Sequence, residues 1–329
     1  MNFTKTALVL AMAGIVSVPM AVQAGESGFY GSIRQAIVHK SNDLAGSDST
    51  IDFANRGSRM GFAGEKDLGN GMTSFGKFEF GVNTDGSNAA TVTRRKAYVG
   101  IKGDFGSVLM GQTYHTYYSH VNGPVDIANW NSGFQSQGRT DNALTYSGAA
   151  GALTFGATIY ADSSDPVNGV AATTTTATKI GTAEVAASGD TGIDGTEFAA
   201  TFDAGMFKVG AGIKSSSNKV GTDPEDIVGF AVSGNIGPAY VAVALNSQDK
   251  AYDATEVSVS MGQGYVIYHV QDNEGTADGD QPTDLTLGYS LPIGPSTNAW
   301  LEYTTHDSDK AVANAGDTDQ IEAVIKFGW

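Results

Sequence analysis

Ala323-Val324-Ile325-Lys326-Phe327-Gly328-Trp329 closes the sequence on the largest apolar side chain there is. Split by alternate positions, Trp329, Phe327, Ile325, Ala323 and Ile321 share one side. Gly328, Lys326, Val324, Glu322 and Gln320 share the other. A strand turns successive side chains to opposite faces, so the ending reads as a strand with one face almost wholly apolar. Two settings suit such a strand: a sandwich that turns the apolar face to a core, and a barrel that turns it to lipid.

The same alternation recurs along the chain. Phe29, Gly31, Ile33 and Ile37 oppose Tyr30, Ser32 and Arg34; Leu153, Phe155, Ala157 and Ile159 oppose Thr154, Gly156, Thr158 and Tyr160. Phe207, Val209, Ala211 and Ile213 oppose Lys208, Gly210, Gly212 and Lys214, and Leu285, Leu287, Tyr289 and Leu291 oppose Asp284, Thr286, Gly288 and Ser290. A period of two predicts half-buried strands, and no run carries the 3.6 period of a helix. The connections alternate as well. GEKDLGNGM, GDFG, SGAAGA, DAGM, NIGPA and SMGQG are tight glycine-rich turns, whereas VNTDGSNAAT, the stretch 161–195, SSSNKVGTDPED and HDSDKAVANAGDTD are long and polar. Short turns at one end and long loops at the other are the layout of an outer-membrane barrel. About sixteen segments are expected, the first three over 27–39, 50–64 and 71–83. An even number of antiparallel neighbours can close without leaving a sheet edge.

The beginning of the chain agrees. Residues 1–24 carry Lys5, then an apolar stretch from Ala7 to about Val18, and end on Val22-Gln23-Ala24, the pattern of a cleaved secretory signal peptide. The barrel is then expected over 25–329. The whole chain has 329 residues, a formal charge of −16 and no cysteine, so disulfides contribute nothing although an exported protein can form them. The acidity argues against nucleic acid as a partner, which needs clustered Lys and Arg.

SRMGFAGEKDLGNGMTSFGKFEFGV (58–82) and RRKAYVGIKGDFGSVLMGQTY (94–114) resemble the general porins of Gram-negative outer membranes. The resemblance covers the signal peptide, the first six strands and the terminal aromatic strand; the stretch 161–284 matches in pattern only. It implies an all-β, 16-stranded transmembrane barrel, a homotrimer, and passive diffusion of small hydrophilic solutes and ions. It also implies contact with lipopolysaccharide and with the outer-membrane assembly machinery. In that machinery Ile325, Phe327 and Trp329 would form the insertion signal, although most relatives end on Phe rather than Trp.

In such porins the third external loop folds inward and narrows the pore. Here that loop corresponds to 114–138, with Asp126 as its carboxylate. Opposite it a ladder of basic residues is expected on the wall. Alternation turns Arg34, Arg59 and Arg139 inward. At TRRKAYVGI two readings conflict: alignment with the family points to Arg95, whereas alternation with Ala97, Val99 and Ile101 outward points to Arg94 and Lys96. A bulge would reconcile them. Where many relatives have Arg after LMG this chain has Gln112, which weakens the ladder by one charge. Structural partners for the arginines are Glu79 and Asp141.

The competing classes have less support. A secreted β-sandwich adhesin would alternate too, but without alternating loop lengths. An outer-membrane phospholipase or protease needs an oriented His and a nucleophile; His269 is the strand histidine placed for it, and no nucleophile accompanies it. His115 and His120 lack the spacing of a metal site, and neither a metal nor a cofactor is implied. The acidic loops, with Asp223, Glu225, Asp272, Asp307 and Asp317 among their carboxylates, either form a solvated surface or hold divalent cations bridging lipopolysaccharide phosphates. A substrate-selective channel stays open as an alternative to a general one, since the two differ by a few loop residues. No aromatic series runs along a single strand.

Overall fold

The computed structural model describes residues 28–43, 47–86, 91–129, 138–161, 193–216, 225–274, 281–308 and 317–329. The expected signal peptide, part of the expected inward loop (130–137) and the tips of several acidic loops lie outside them. Among the described residues no helix is long and apolar enough to cross a membrane; the chain crosses with strands.

The strands are β1 (Gly28–Asn42), β2 (Thr50–Asn55), β3 (Arg59–Gly69), β4 (Met72–Val82), β5 (Val92–Gly103) and β6 (Gly106–Tyr114). After the loop come β7 (Arg139–Ala150), β8 (Leu153–Tyr160), β9 (Gly195–Asp203), β10 (Phe207–Ser216), β11 (Ile227–Ile236) and β12 (Ala239–Gln248). The wall ends with β13 (Tyr252–Met261), β14 (Gly264–Asn273), β15 (Thr283–Gly294), β16 (Thr297–Asp307) and β17 (Thr318–Gly328). All pairings are antiparallel between neighbours, and β1 pairs β17 from Ser32↔Gly328 to Asn42↔Thr318, closing the sheet. Closure of the first strand on the last is how a barrel avoids offering a sheet edge to lipid.

Seventeen segments form the sheet, but β2 and β3 both lie against β1, from Lys40↔Thr50 to Gly28↔Ala63, and count as one wall strand. The barrel is therefore sixteen-stranded, with its second strand broken. Gly57 causes the break, since its φ of 83° suits a residue without Cβ. Ser58 then accepts the Arg34 N–H at 2.9 Å through its hydroxyl, and the Arg56 N–H reaches the Arg34 carbonyl at 3.1 Å. The short-turn end shows ordinary hairpin chemistry: Asn70 and Gly71, both at positive φ, join β3 to β4 as Asn-Gly does in type I′ turns.

Exposure separates the two settings left open by the sequence. Phe78 is 57% exposed while the adjacent Glu79 is 3% exposed. Phe29, Ile33, Phe62, Val99, Met110, Phe198, Leu301 and Phe327 are exposed as well, while Thr158, Glu197, Glu256 and Glu322 are buried. Apolar outside and polar inside is the reverse of a sandwich and the requirement of a wall solvated by lipid.

The interior is not symmetric. The inner faces of β9–β13 carry small residues: Ala199, Ala231, Ala242, Ala244 and Ala254, all buried. The loop after β6 fills the room they leave. Tyr117, Val121 and Val125 pack onto Ala231, Ala242, Ala244, Tyr252 and Ala254. Val121 and Val125 are fully buried, each a contribution of roughly 1.5–3 kcal/mol. Gly229 completes the seat, since a Cβ there would fall 2.7 Å from Val121 Cγ1.

Candidate functional site

Long side chains on the inner wall of β1–β7 face this loop. Their centre is Glu79 on β4. Its Oε2 accepts the Tyr30 hydroxyl at 3.0 Å and lies 3.8 Å from Lys77 Nζ. Its Oε1 accepts Arg95 Nε at 3.1 Å and lies 4.0 Å from Arg59 Nη1. A carboxylate this buried is stable only with such partners. The cations outnumber it, so the group keeps a net positive charge.

The conflict over Arg94, Arg95 and Lys96 has a physical answer. Between β4 and β5 the register slips, so that Glu79 faces Lys96 and Phe80 faces Arg94. Arg95 is the extra residue of a bulge, a device that re-aims a side chain. Arg95 and Lys96 therefore both lie on the Glu79 side. Arg94 does not join them, against the expectation from simple alternation. It is exposed and shares its rung with Phe80, whose ring stacks on the outward Phe78 at 6.4 Å.

Lys96 Nζ sits 3.9 Å over the Tyr114 ring, and the Arg139 guanidinium 5.9 Å from the same ring. Tyr114 stacks on Tyr118 of the loop at 5.1 Å and 20°, and the Tyr118 hydroxyl donates to Asp126 Oδ2 at 2.6 Å. Burial and the neighbouring Asp126 raise the Tyr118 hydroxyl above the ordinary tyrosine range, which keeps it a donor. The loop carboxylate and the basic wall are thus linked by two stacked tyrosines. The side chain of Asp141 lies outside the described residues.

Arg34 stands apart from the Glu79 group. Its Nη1 donates to the carbonyl (3.1 Å) and to Oδ1 (2.9 Å) of Asn129 in the loop, and its guanidinium lies 5.5 Å from the Trp300 ring. The Asn129 N–H donates in turn to Glu302 Oε1 at 2.7 Å, and Tyr265 also donates to Glu302. Glu322, the rung partner of Glu302, accepts Arg56 Nε at 2.7 Å. The break in the second strand thus frees Arg56 to reach a carboxylate on β17.

The near end of the loop is fixed as firmly. His115 Nδ1 lies 2.5 Å from Glu197 Oε1, and the Tyr117 N–H donates to Glu197 Oε2 at 3.0 Å. His120 Nδ1 is 2.8 Å from Thr201 Oγ1, and the Tyr117 hydroxyl donates to Asn246 Oδ1 at 2.5 Å. The Ser258 and Tyr240 hydroxyls donate to the carbonyls of Val125 (2.5 Å) and Pro124 (2.8 Å). A single π-helical turn, Tyr118–Asn122, gives the loop its shape. Sequence reading missed Lys77, Glu197 and Glu302. Strand parity alone signals Lys77, which sits two residues before Glu79.

Ile325, Phe327 and Trp329 are exposed on the outer face. Trp329 holds Gly31 through two backbone bonds, of 3.1 and 3.2 Å, and its ring lies 6.3 Å from Phe29 and 6.1 Å from Phe327. With Phe29 5.0 Å from Phe62, these rings make an aromatic cluster across the closing seam.

A sequence profile described as "Gram-negative porin" matches residues 6–326. Among curated proteins, Major outer membrane protein P.IB of Neisseria gonorrhoeae is 28% identical over 148 residues, which are 45% of this chain and 38% of that protein. The chain thus aligns with well under half the length of that relative. Among solved structures, an anion-selective porin from Comamonas acidovorans is 20% identical with a TM-score of 0.66, covering 93% of this chain and all of that one. OmpT of Vibrio cholerae, in a trimer form, is 17% identical with a TM-score of 0.61 over 93% of this chain and 100% of that chain. With a profile spanning nearly the whole sequence and a closed sixteen-stranded barrel beneath it, the chain belongs to the Gram-negative porin family of the outer membrane.

Proposed function

We propose that the barrel is a water-filled pore for the passive diffusion of small hydrophilic solutes and ions, working as a homotrimer. The observation that carries this reading is the loop held inside the barrel across from Arg59, Lys77, Arg95, Lys96 and Arg139. Cations on one wall and Asp126 on the loop set a field across the narrowest part of the lumen. Such a field orders water, favours small polar solutes and penalises apolar ones. Arg34, tied to Asn129, holds the loop at its working distance and adds its charge to the same wall.

Selectivity is set by two opposed groups. The formal charge of −16 lies largely in external loops, where salt screens interactions beyond about 8 Å. The lumen cations act at close range. The pore is therefore weakly selective, and more cation-preferring at low salt. The trimer form of a solved protein with this fold supports the assembly. We further assign Ile325, Phe327 and Trp329 to the signal read by the outer-membrane assembly machinery, and the acidic loops to the lipopolysaccharide side.

Reconstitution of the purified chain into planar bilayers tests the proposal. Discrete, long-lived conductance steps in KCl are expected. A bilayer that stays silent with correctly inserted protein would overturn it. A substrate-selective channel would instead show small steps blocked by one solute class.

A further inference from the structure

Below the Glu79 group, toward the short turns, the inner wall of β1 and β3–β6 carries aromatic rings and cations in alternation. Phe75 and Lys77 of β4 and Tyr98 and Lys102 of β5 share the Glu79 face, since they alternate with the outward Phe78, Val99 and Ile101. Tyr30 and Tyr114 extend the series upward.

Each ring has a cation beside it. Lys102 Nζ lies 5.7 Å from the Phe75 ring, Lys77 Nζ 4.5 Å from the Tyr30 ring, and Lys96 Nζ 3.9 Å from the Tyr114 ring. Tyr98 is the direct rung partner of Lys77, and its ring meets Phe75 edge-on at 6.1 Å. Inward residues on one strand repeat about every 7 Å, so the rings follow one another at roughly the size of a small solute.

Two glycines make room for the tips of the rings. A Cβ on Gly61 would fall 2.6 Å from the Tyr30 hydroxyl oxygen, and one on Gly100 would fall 2.6 Å from Phe75 Cζ. Tyr30 and Phe75 therefore lie over bare backbone. The charge of the strip is positive: Lys77, Lys96, Lys102, Arg59 and Arg95 stand against Glu65, which holds Lys102 at 2.7 Å, and Glu79.

We propose that this strip is a track for small aromatic carboxylates, with the solute ring stacked on Phe75, Tyr98 or Tyr30 and its carboxylate on the adjacent lysine. The inference rests on the pore reading and deepens it. An inorganic anion has no use for the rings, and a neutral sugar has none for the lysines; the alternation fits a solute that carries both a ring and a negative charge. Stepwise transfer from one ring–lysine pair to the next would raise its flux. The rings come from four different strands, which is why no aromatic series shows along any one of them.

The test compares two acids of equal charge and similar size in planar bilayers holding the full chain. Reversal potentials under gradients of sodium benzoate and of sodium cyclohexanecarboxylate give their permeabilities relative to chloride, at about pH 8 where both are ionised. Benzoate should be about three- to fivefold more permeant, the scale of one ring–cation or stacking contact. Phe75→Leu with Tyr98→Leu should bring the two acids together while KCl steps persist. Should that double variant fail to insert, Lys102→Gln serves instead: it should slow both acids in the same proportion and leave their ratio intact. Equal permeabilities in the unaltered protein, a benzoate advantage that survives loss of both rings, or acid fluxes indifferent to Lys102→Gln would each overturn the track. Steps in KCl without a benzoate advantage defeat the track alone, whereas absence of KCl steps defeats the pore reading and the track with it.

Discussion

Arg95 Nε and Glu79 Oε1 lie 3.1 Å apart because a β-bulge sets Arg95 outside the regular ladder between β4 and β5. Regular alternation can turn either Arg95 or its neighbours inward, never Arg95 and Lys96 together. The bulge brings both to one carboxylate, and with Arg59 and Lys77 they set four cations around it.

Glu79→Gln removes the only negative member of that group. Arg59, Lys77 and Arg95 would then repel one another inside the wall, and a broken buried pair costs about 3–5 kcal/mol. Thermal unfolding in detergent should fall well below that of the unaltered chain, and the reversal potential in a KCl gradient should move toward anions. An unchanged melting temperature together with an unchanged reversal potential would show that Glu79 is not the organising partner.

The loop seat is testable from the opposite wall. Gly229→Val places atoms where Val121 and Tyr117 now sit, and the nearest Val121 carbon leaves only 2.7 Å for a Cβ. Overpacking of this kind costs about 1–3 kcal/mol, and here the loop can escape into the lumen while the wall stays intact. The barrel should still insert, with noisier open states and an altered conductance. A quiet channel of unchanged conductance would mean that the loop does not bound the pore.

Acid should loosen the same seat through His120. Burial holds its imidazole below the ordinary histidine value, with Thr201 as its hydrogen-bond partner. A histidine depressed in the folded state stabilises the seat fully above its unfolded value of about 6.5 and loses that contribution as pH falls toward the lower folded value. Open-state noise should therefore rise as pH drops below about 6.5, and His120→Gln should flatten that rise. Of the charged neighbours on the same wall, Glu197 pairs with Lys214 and, at the loop's near end, with His115, so His115→Gln provides the control. An unchanged acid response in His120→Gln would assign the effect elsewhere.

Much of this architecture is written in the period of the sequence. Phe29, Ile33 and Ile37 against Tyr30, Ser32 and Arg34 declare a strand, and they also declare which side meets lipid once the same pattern has recurred around a closed wall. Irregular positions were only partly legible: the conflict between alternation and family alignment at 94–96 pointed to a bulge, whereas nothing in the expected strand over 50–64 pointed to its break. Gly57 breaks the second wall strand, where Ser58 bonds Arg34, and Arg95 bulges from β5, where it reaches Glu79. Partners far apart in sequence were equally hidden. Nothing near Asn129 announces Glu302, 173 residues on, and nothing near His115 announces Glu197. The alanines at 231, 242, 244 and 254 carry no signal of their own in the sequence; they are the floor on which the loop rests.

The reversal potential of the Arg59→Gln, Arg139→Gln double variant, read beside the unaltered chain in KCl gradients at low and high salt, tests most directly whether lumen charge governs the pore. Both residues lie on the basic wall, and neither supplies the loop's own anchors. A shift toward cations at both salt concentrations and a higher permeability for bulky solutes are expected, because two long charged side chains leave the narrowest region. Neutralising external carboxylates such as Asp307 should matter mainly at low salt, where a Debye length of about 30 Å at 0.01 M lets them reach the mouth. A reversal potential and solute cutoff unmoved by the double change would contradict the account and place the determinant outside the lumen wall.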